Sequence, residues 1–316
     1  MADPAAGAPG DEVTSSSDSP GVTSSDGVHD AAAAADGSDD AAAPDGSEGD
    51  VPEVAEAPPA GEQPAKEQVV GPTGFPRLET ETVEKFGRPM RLFPVAVSAE
   101  AMALAWANQE DAPSGATVVV DHEIRPSGLH GRMWNVPAVD TLACSVVLRP
   151  ALKMEDADSS WLVGAWAAAE GAEKASGREL ATWWPDAVVD ATTREQVSAV
   201  RAEIQLGPGR VKSVVLTLRF DLPGLGLDAS RKDDLLEAVM QAMDTAREEL
   251  DGGTIGAVYE QRCALLGNRL MIRLLPKGET RGTARRIDRG ARLELESPSG
   301  LVEKITVDQV RDMKIV

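Results

Sequence analysis

The stretch Tyr259–Leu295, YEQRCALLGNRLMIRLLPKGETRGTARRIDRGARLEL, decides how the rest of the chain is read. It opens on residues that still carry a helical pattern and breaks at Gly267. From Arg269 the texture changes to five short extended runs, RLMIRLL, TRGTARRID, ARLELES, LVEKITV and the terminal MKIV, separated by turns containing Gly or Pro. Short strands punctuated in this way build small, nearly closed sheets. A small SH3-like β-barrel is therefore predicted over residues 267–316.

Working outward from that stretch, helical and extended periods follow one another. Ser98–Asn108 reads as a helix, with Ser98 at an N-cap position and Met102, Leu104 and Ala105 on one side. Thr117–His122 is a β-branched strand, and a loop with Pro126, Gly128, Gly131 and Pro137 separates it from a second strand at Leu142–Leu148. Ser159–Lys174 is an Ala- and Trp-rich helix, apolar enough to be buried. Short strands are predicted around Leu180–Trp184 and Ala187–Asp190. Longer ones follow at Val197–Gln205 and Val211–Phe220, joined by an LGPG turn. In Ser230–Asp251 the residues Leu235, Leu236, Val239, Met240 and Met243 recur at the helical period, and Asp-Gly-Gly ends the run. A further helix is expected at about Thr254–Leu266. Residues 70–95, punctuated by Pro72, Pro76, Pro89 and Pro94, read as an irregular lead-in. The fold class is α+β: a mixed sheet with packed helices over 76–266, then the barrel.

Charge separates the chain differently. Its formal net charge is −21, and residues 1–75 hold 16 of the 52 acidic side chains against a single basic one, Lys66. This Ala-, Ser-, Asp- and Pro-rich segment has too few apolar residues to offset its conformational entropy, so a disordered acidic tail is predicted. Ala31–Ala35 is too short to hold a helix in water. Such a tail repels polyanions, which argues against nucleic acid and anionic membranes as partners. MADPAAGAPG lacks the basic and apolar regions of a secretory signal. The longest apolar run, Trp161–Ala169, is too short to span a bilayer. Two cysteines, Cys144 and Cys263, suit free thiols in a reducing compartment, and a cytoplasmic location is expected. His29, His122 and His130 have no metal-ligand spacing, and neither a Walker loop nor a Ser-His-Asp arrangement is present. No metal site is predicted.

The junction Arg262, Cys263, Leu266, Gly267, followed by the turn Gly282, Thr283, Ala284, Ile287, Asp288, resembles the link between catalytic domain and C-terminal barrel in biotin–protein ligases. PSGLHGRMWNVP stands where that family has a glycine- and arginine-rich loop over biotin and the adenylate. Gly128, Gly131, Arg132 and Trp134 match, while Ser127 and Leu129 replace two arginines. TWWPDAVVD is similar to the family's Lys-Trp-Pro-Asn-Asp segment: Trp184, Pro185 and Asp186 match, and Trp183 replaces the lysine. SAVRAEI keeps Glu203, with Ala199 in place of a glycine, and VAVSAEAM keeps Glu100 and Ala101.

The resemblance implies a biotin/lipoate ligase-like fold, biotin and ATP (with Mg) as ligands, and a biotin carboxyl carrier domain as partner. The implied activity is ATP-dependent formation of biotinyl-adenylate and its transfer to a carrier lysine. It also implies ligand-binding roles for Gly128, His130, Gly131, Trp134, Trp184, Pro185, Asp186 and Glu203. No winged helix is expected ahead of the catalytic part, and the oligomeric state is open.

The missing lysine and arginines bear directly on activity, because phosphoryl chemistry depends on positioned positive charge; losing one such stabiliser costs about 10²–10³ in rate. Strand alternation offers substitutes. Arg201 or Arg219, together with Arg132, is expected to supply a relocated cation. The competing expectation is a charge-balanced cluster of Arg201, Glu203, Arg219 and Asp221 on a wet sheet face. Trp134, Trp183 and Trp184 are candidates for the walls of an apolar slot, or for plain core filling. His130 is a candidate phosphate contact. Three readings follow: a divergent ligase, a catalytically degenerate relative that binds biotin, an adenylate or a carrier, and a structural interaction protein.

Overall fold

The computed structural model describes residues 81–134 and 140–316. The acidic tail, Ala31–Ala35 and Pro137 lie outside the described residues.

The lead-in reading of 70–95 is corrected over its described part. Strand β1 (Thr82–Lys85) turns at Phe86–Gly87 into β2 (Arg88–Ala96), a nine-residue strand despite Pro89 and Pro94. The prolines are tolerated because this is the margin of a sheet. Pro89 sits opposite Glu84 of β1, and Pro94 has no registered partner on β3 (Thr117–Glu123). β2 and β3 run parallel, connected by helix α1 (Ala99–Gln109). The predicted cap is present: the Ser98 hydroxyl accepts a hydrogen bond from the Ala101 N–H at 3.1 Å.

The strands continue as β4 (Thr141–Leu148), β5 (Leu180–Trp183), β6 (Ala187–Asp190), β7 (Gln196–Gly207) and β8 (Arg210–Asp221). Together they form one eight-stranded mixed sheet in the order β1-β2-β3-β4-β8-β7-β6-β5. Helices α2 (Ser159–Ser176) and α3 (Lys232–Asp251) cover one face. Leu216, Leu218 and Phe220 of β8 point into the main core on that side, with Leu162, Val239 and Met243 of the helices. Two glycines let these layers close. A Cβ at Gly164 would stand 2.8 Å from Val200 Cγ1, and one at Gly171 would stand 2.5 Å from the Val239 Cα. On the opposite face α1 packs over Val118, Val120, Val147 and Val215.

Helix α4 (Ile255–Glu260) is shorter than the predicted Thr254–Leu266. The segment after it is drawn into pairing with the sheet edge: Thr182 N–H donates to the Arg262 carbonyl and Ala264 N–H to the Thr182 carbonyl, both at 2.9 Å. Long-range pairing with an open strand edge outweighs local helical pattern there. The remaining strands, β9 (Arg269–Leu274), β10 (Glu279–Ile287), β11 (Leu293–Glu296), β12 (Val302–Ile305) and β13 (Val310–Ile315), form a second, antiparallel sheet in the order β12-β11-β10-β9-β13. Its inward residues Leu270, Ile272, Ala284, Leu293 and Leu295 make the barrel-like core expected from the sequence. Among the described residues no helix is long and apolar enough to cross a membrane.

Candidate functional site

Side-chain alternation places Ala199, Arg201 and Glu203 of β7 on the face away from the α2/α3 core, with Thr217 and Arg219 of β8 beside them. Ala199 stands directly opposite Ala187 on one side and Arg219 on the other. The loop Arg125–Trp134 lies over this face. It is folded tightly on itself, with Gly128 N–H donating to the Arg132 carbonyl at 2.6 Å and Trp134 N–H to Pro126. His130 (φ 54°) and Gly131 (φ 72°) turn it through the left-handed region.

Between that loop, the Trp183–Ala187 turn and strand β13 is a cavity of about 240 Å³. Leu129, Arg132, Met133 and Trp134 line it from the loop, Ala199 from the sheet, and Asp312 and Met313 from β13. Trp183, Pro185 and Asp186 close it from the turn, whose Trp184–Pro185 bond is cis. Trp183 is half-buried in this wall. Gly128, Trp134, Trp184, Pro185 and Asp186 are thus brought together with Arg132.

The cations do not stand free. Arg132, its side chain 53% exposed, pairs with Asp186 at 2.9 Å. Burial pushes the Asp186 carboxyl above its ordinary range, with the Arg132 guanidinium pulling the other way. Arg219 is 1% exposed and held by Glu123 through both oxygens, Nε to Oε2 at 2.5 Å and Nη2 to Oε1 at 3.0 Å. Its Nη1 donates to the Ser127 carbonyl at 3.0 Å. The same Glu123 carboxylate accepts the Ala99 N–H at the start of α1 at 2.8 Å, where a helix N-terminus favours negative charge. Arg201 donates to the Gly128 carbonyl at 2.9 Å and to Glu203 at 3.3 Å. Its Nε lies 2.8 Å from Glu100 Oε2, an ion-pair contact without hydrogen-bond alignment. Burial raises the Glu100 carboxyl, opposed by Arg201.

The wet-face expectation is corrected by this arrangement. Arg219 is sealed under the loop, Arg201 pairs with Glu100 as well as Glu203, and the Asp221 carboxylate accepts the Gly224 N–H instead of joining the cluster. As for cation supply, both strand arginines spend their donors on buried or half-buried acids and on the carbonyls of the loop above them. His130 Nε2 lies 2.9 Å from the Val310 carbonyl, so that nitrogen carries the proton and fastens the loop to β13. Trp184 is fully buried and its indole N–H donates to the Ala291 carbonyl at 2.9 Å, anchoring the turn to the second sheet. Leu129 is buried in the hydrophobic core. Glu123 and the β13 wall were not picked out from sequence; a lone acid after a β-branched strand carries no signal of its partner 96 residues away.

Searches of solved structures return the biotin protein ligase of Aquifex aeolicus in complex with biotin and ATP. It aligns at a TM-score of 0.57 and 17% identity, over 72% of this chain and 99% of that one. The fold is that of the biotin protein ligases. A biotin protein ligase-like protein of unknown function from Silicibacter sp. shares this ligase fold at a TM-score of 0.51 and 15% identity, over 68% of this chain and 94% of that one. By sequence, the bifunctional ligase/repressor BirA of Bacillus subtilis is 24% identical over 146 residues, 45% of this chain and 42% of the relative. BirA of Bacillus spizizenii is 24% identical over 145 residues, 46% of this chain and 42% of the relative. The match spans less than half the length of these curated relatives. No family model matches.

Set against biotin and ATP, the cleft of this ligase-fold chain fits unevenly. The apolar wall of Leu129, Met133, Trp134 and Trp183 suits a small bicyclic ligand. Arg132, Arg201 and Arg219 suit a polyphosphate poorly, because each already faces a carboxylate; Arg125 of the loop is exposed and has no ion pair among the described residues. Among the described residues no cluster of three or more His, Cys, Asp or Glu is placed to hold a metal ion.

Proposed function

We propose that this chain uses a biotin-ligase-fold cleft, with residues 76–266 as the binding part and 267–316 as its barrel, to hold a biotin-type group without forming biotinyl-adenylate. The observation that carries this reading is the pairing of Arg201 with Glu100 and of Arg219 with Glu123 on the face under the loop. Adenylate formation requires unspent positive charge where the α-phosphate is attacked. A guanidinium already neutralised by a buried carboxylate offers none without first breaking its pair. Trp134 and Trp183 wall the ligand, and Arg132, held by Asp186, borders it. The partner is a carrier domain bearing the group, and the reducing cytoplasm is the setting that suits the two free thiols Cys144 and Cys263.

A second reading, an active ligase, is favoured by one observation. Arg132 retains half its exposure and its partner Asp186 is raised by burial, so Arg132 is the cation most readily released. Titration of biotin and of a biotinylated carrier domain into the full chain, with and without Mg-ATP, separates the two. Pyrophosphate release is followed in the same samples. We expect heats that do not depend on ATP and no pyrophosphate. ATP-dependent pyrophosphate release would establish the ligase reading in place of ours.

A further inference from the structure

Two features of the cleft point to the form in which its ligand arrives. The first is charge. On the cleft and the sheet face continuous with it, four carboxylates (Glu100, Glu123, Asp186 and Glu203) face three guanidiniums (Arg132, Arg201 and Arg219), and Asp312 adds a fifth carboxylate at the rim. Asp312, at the exposed rim on β13, has no ion pair among the described residues. A free carboxylate entering here gives up its water and meets negative charge, while Arg132, Arg201 and Arg219 are already paired. The second is a donor without an acceptor. The indole Nε1 of Trp134 is buried and makes no hydrogen bond among the described residues, whereas that of Trp184 has one. Buried N–H groups are nearly always paired, so this orphan, on a residue that lines the cavity, is a donor that a ligand oxygen would satisfy.

We infer that the cleft selects biotin in its neutral amide form, as a biotinyl-lysine side chain, over free biotin with its carboxylate. This rests on the binding function proposed above and specifies its ligand. An amide is uncharged, so it avoids the repulsion, and its carbonyl or the ureido oxygen supplies the acceptor that the Trp134 N–H lacks. Arg132, Met133 and Asp312 at the rim are exposed, so a lysine tether would leave the cleft on their side toward a carrier domain. The chain then acts after ligation. The reaction class that supplies its ligand is transfer of an activated biotinyl group to a lysine amine, performed by a separate enzyme.

The test is calorimetric titration of the full chain with biotin and with biotinamide, repeated for Trp134→Phe and Asp312→Asn, with pyrophosphate assayed in parallel. Biotinamide is expected to bind at least tenfold more tightly than biotin. Trp134→Phe, which keeps the ring and loses the N–H, is expected to weaken biotinamide about tenfold. Asp312→Asn, at an exposed position that folding tolerates, is expected to narrow the amide-to-acid ratio severalfold. Biotin binding as tightly as biotinamide, without pyrophosphate release, overturns this inference and leaves the binding function standing. Pyrophosphate release with biotin and ATP overturns the binding function itself, and an absence of heat with either ligand overturns both.

Discussion

Replacing Glu123 by Gln tests whether the cation beneath the loop is truly spent. The side chain keeps its size, yet Arg219, 1% exposed, loses the only carboxylate it touches among the described residues. The Oε1 acceptor shared by Ala99 N–H and Arg219 Nη2 survives, but an amide NH₂ turned toward Arg219 Nε sets donor against donor. The Ser127 carbonyl at 3.0 Å accepts a hydrogen bond without neutralising the charge. Breaking a buried pair in this way costs about 3–5 kcal/mol. For a folded region of this size that corresponds to a fall of roughly 6–20 °C in Tm. The assay is urea unfolding followed by tryptophan fluorescence, where the midpoint is expected to fall at unchanged slope. Removing both charges together, Glu123→Leu with Arg219→Met, is expected to recover most of the loss, since a well-packed apolar pair replaces a buried ion pair at little cost. The reasoning fails if Glu123→Gln lies within about 1 kcal/mol of the parent, well under the buried-pair cost. It fails equally if the double variant is no more stable than the single; Arg219 would then be available to a ligand.

Asp186→Asn is expected to free Arg132 and raise the affinity for biotin relative to biotinamide severalfold, read by calorimetry. Gly171→Ala drives a methyl to 2.5 Å from the Val239 Cα, and about 1–3 kcal/mol of destabilisation is expected by urea unfolding. Burial pushes the Cys144 thiol up to about 12 from an ordinary value of 9.0. A group raised on folding gives stability that is whole below its unfolded pKa and lost as pH climbs through the folded one. Tm is therefore expected to fall between about pH 9 and 12, and less steeply in Cys144→Ala.

The barrel was legible because each of its short runs is punctuated by Gly or Pro and pairs with a neighbour close in sequence. Helices α1, α2 and α3 were legible from their periodicity, and Ser98 from its capping chemistry. β2 was hidden because its two prolines signal irregular chain anywhere except at the margin of a sheet, and the margin is known only once the strand order is known. The overlong α4 failed for a related reason: the pull on Arg262–Ala264 comes from Thr182, about eighty residues earlier. In the cleft, alternation correctly put Arg201 and Glu203 on one face. The partners that decide what those arginines can do, Glu100 and Glu123, come from a helix start and a strand end, and only the sheet order brings them there.

The bonds from Trp184 to Ala291 and from His130 to Val310 mean that the turn and the loop enclosing the cleft are each buttressed by the second sheet, whose Met313 is itself part of the wall. A guest seated there grips both sheets at once. By mass action its binding energy becomes cohesion between them. The connection at residues 261–268 should therefore be nicked by protease more slowly in the liganded chain than in the free one, and a gene truncated before Arg269 should yield neither a binder nor a well-folded sheet.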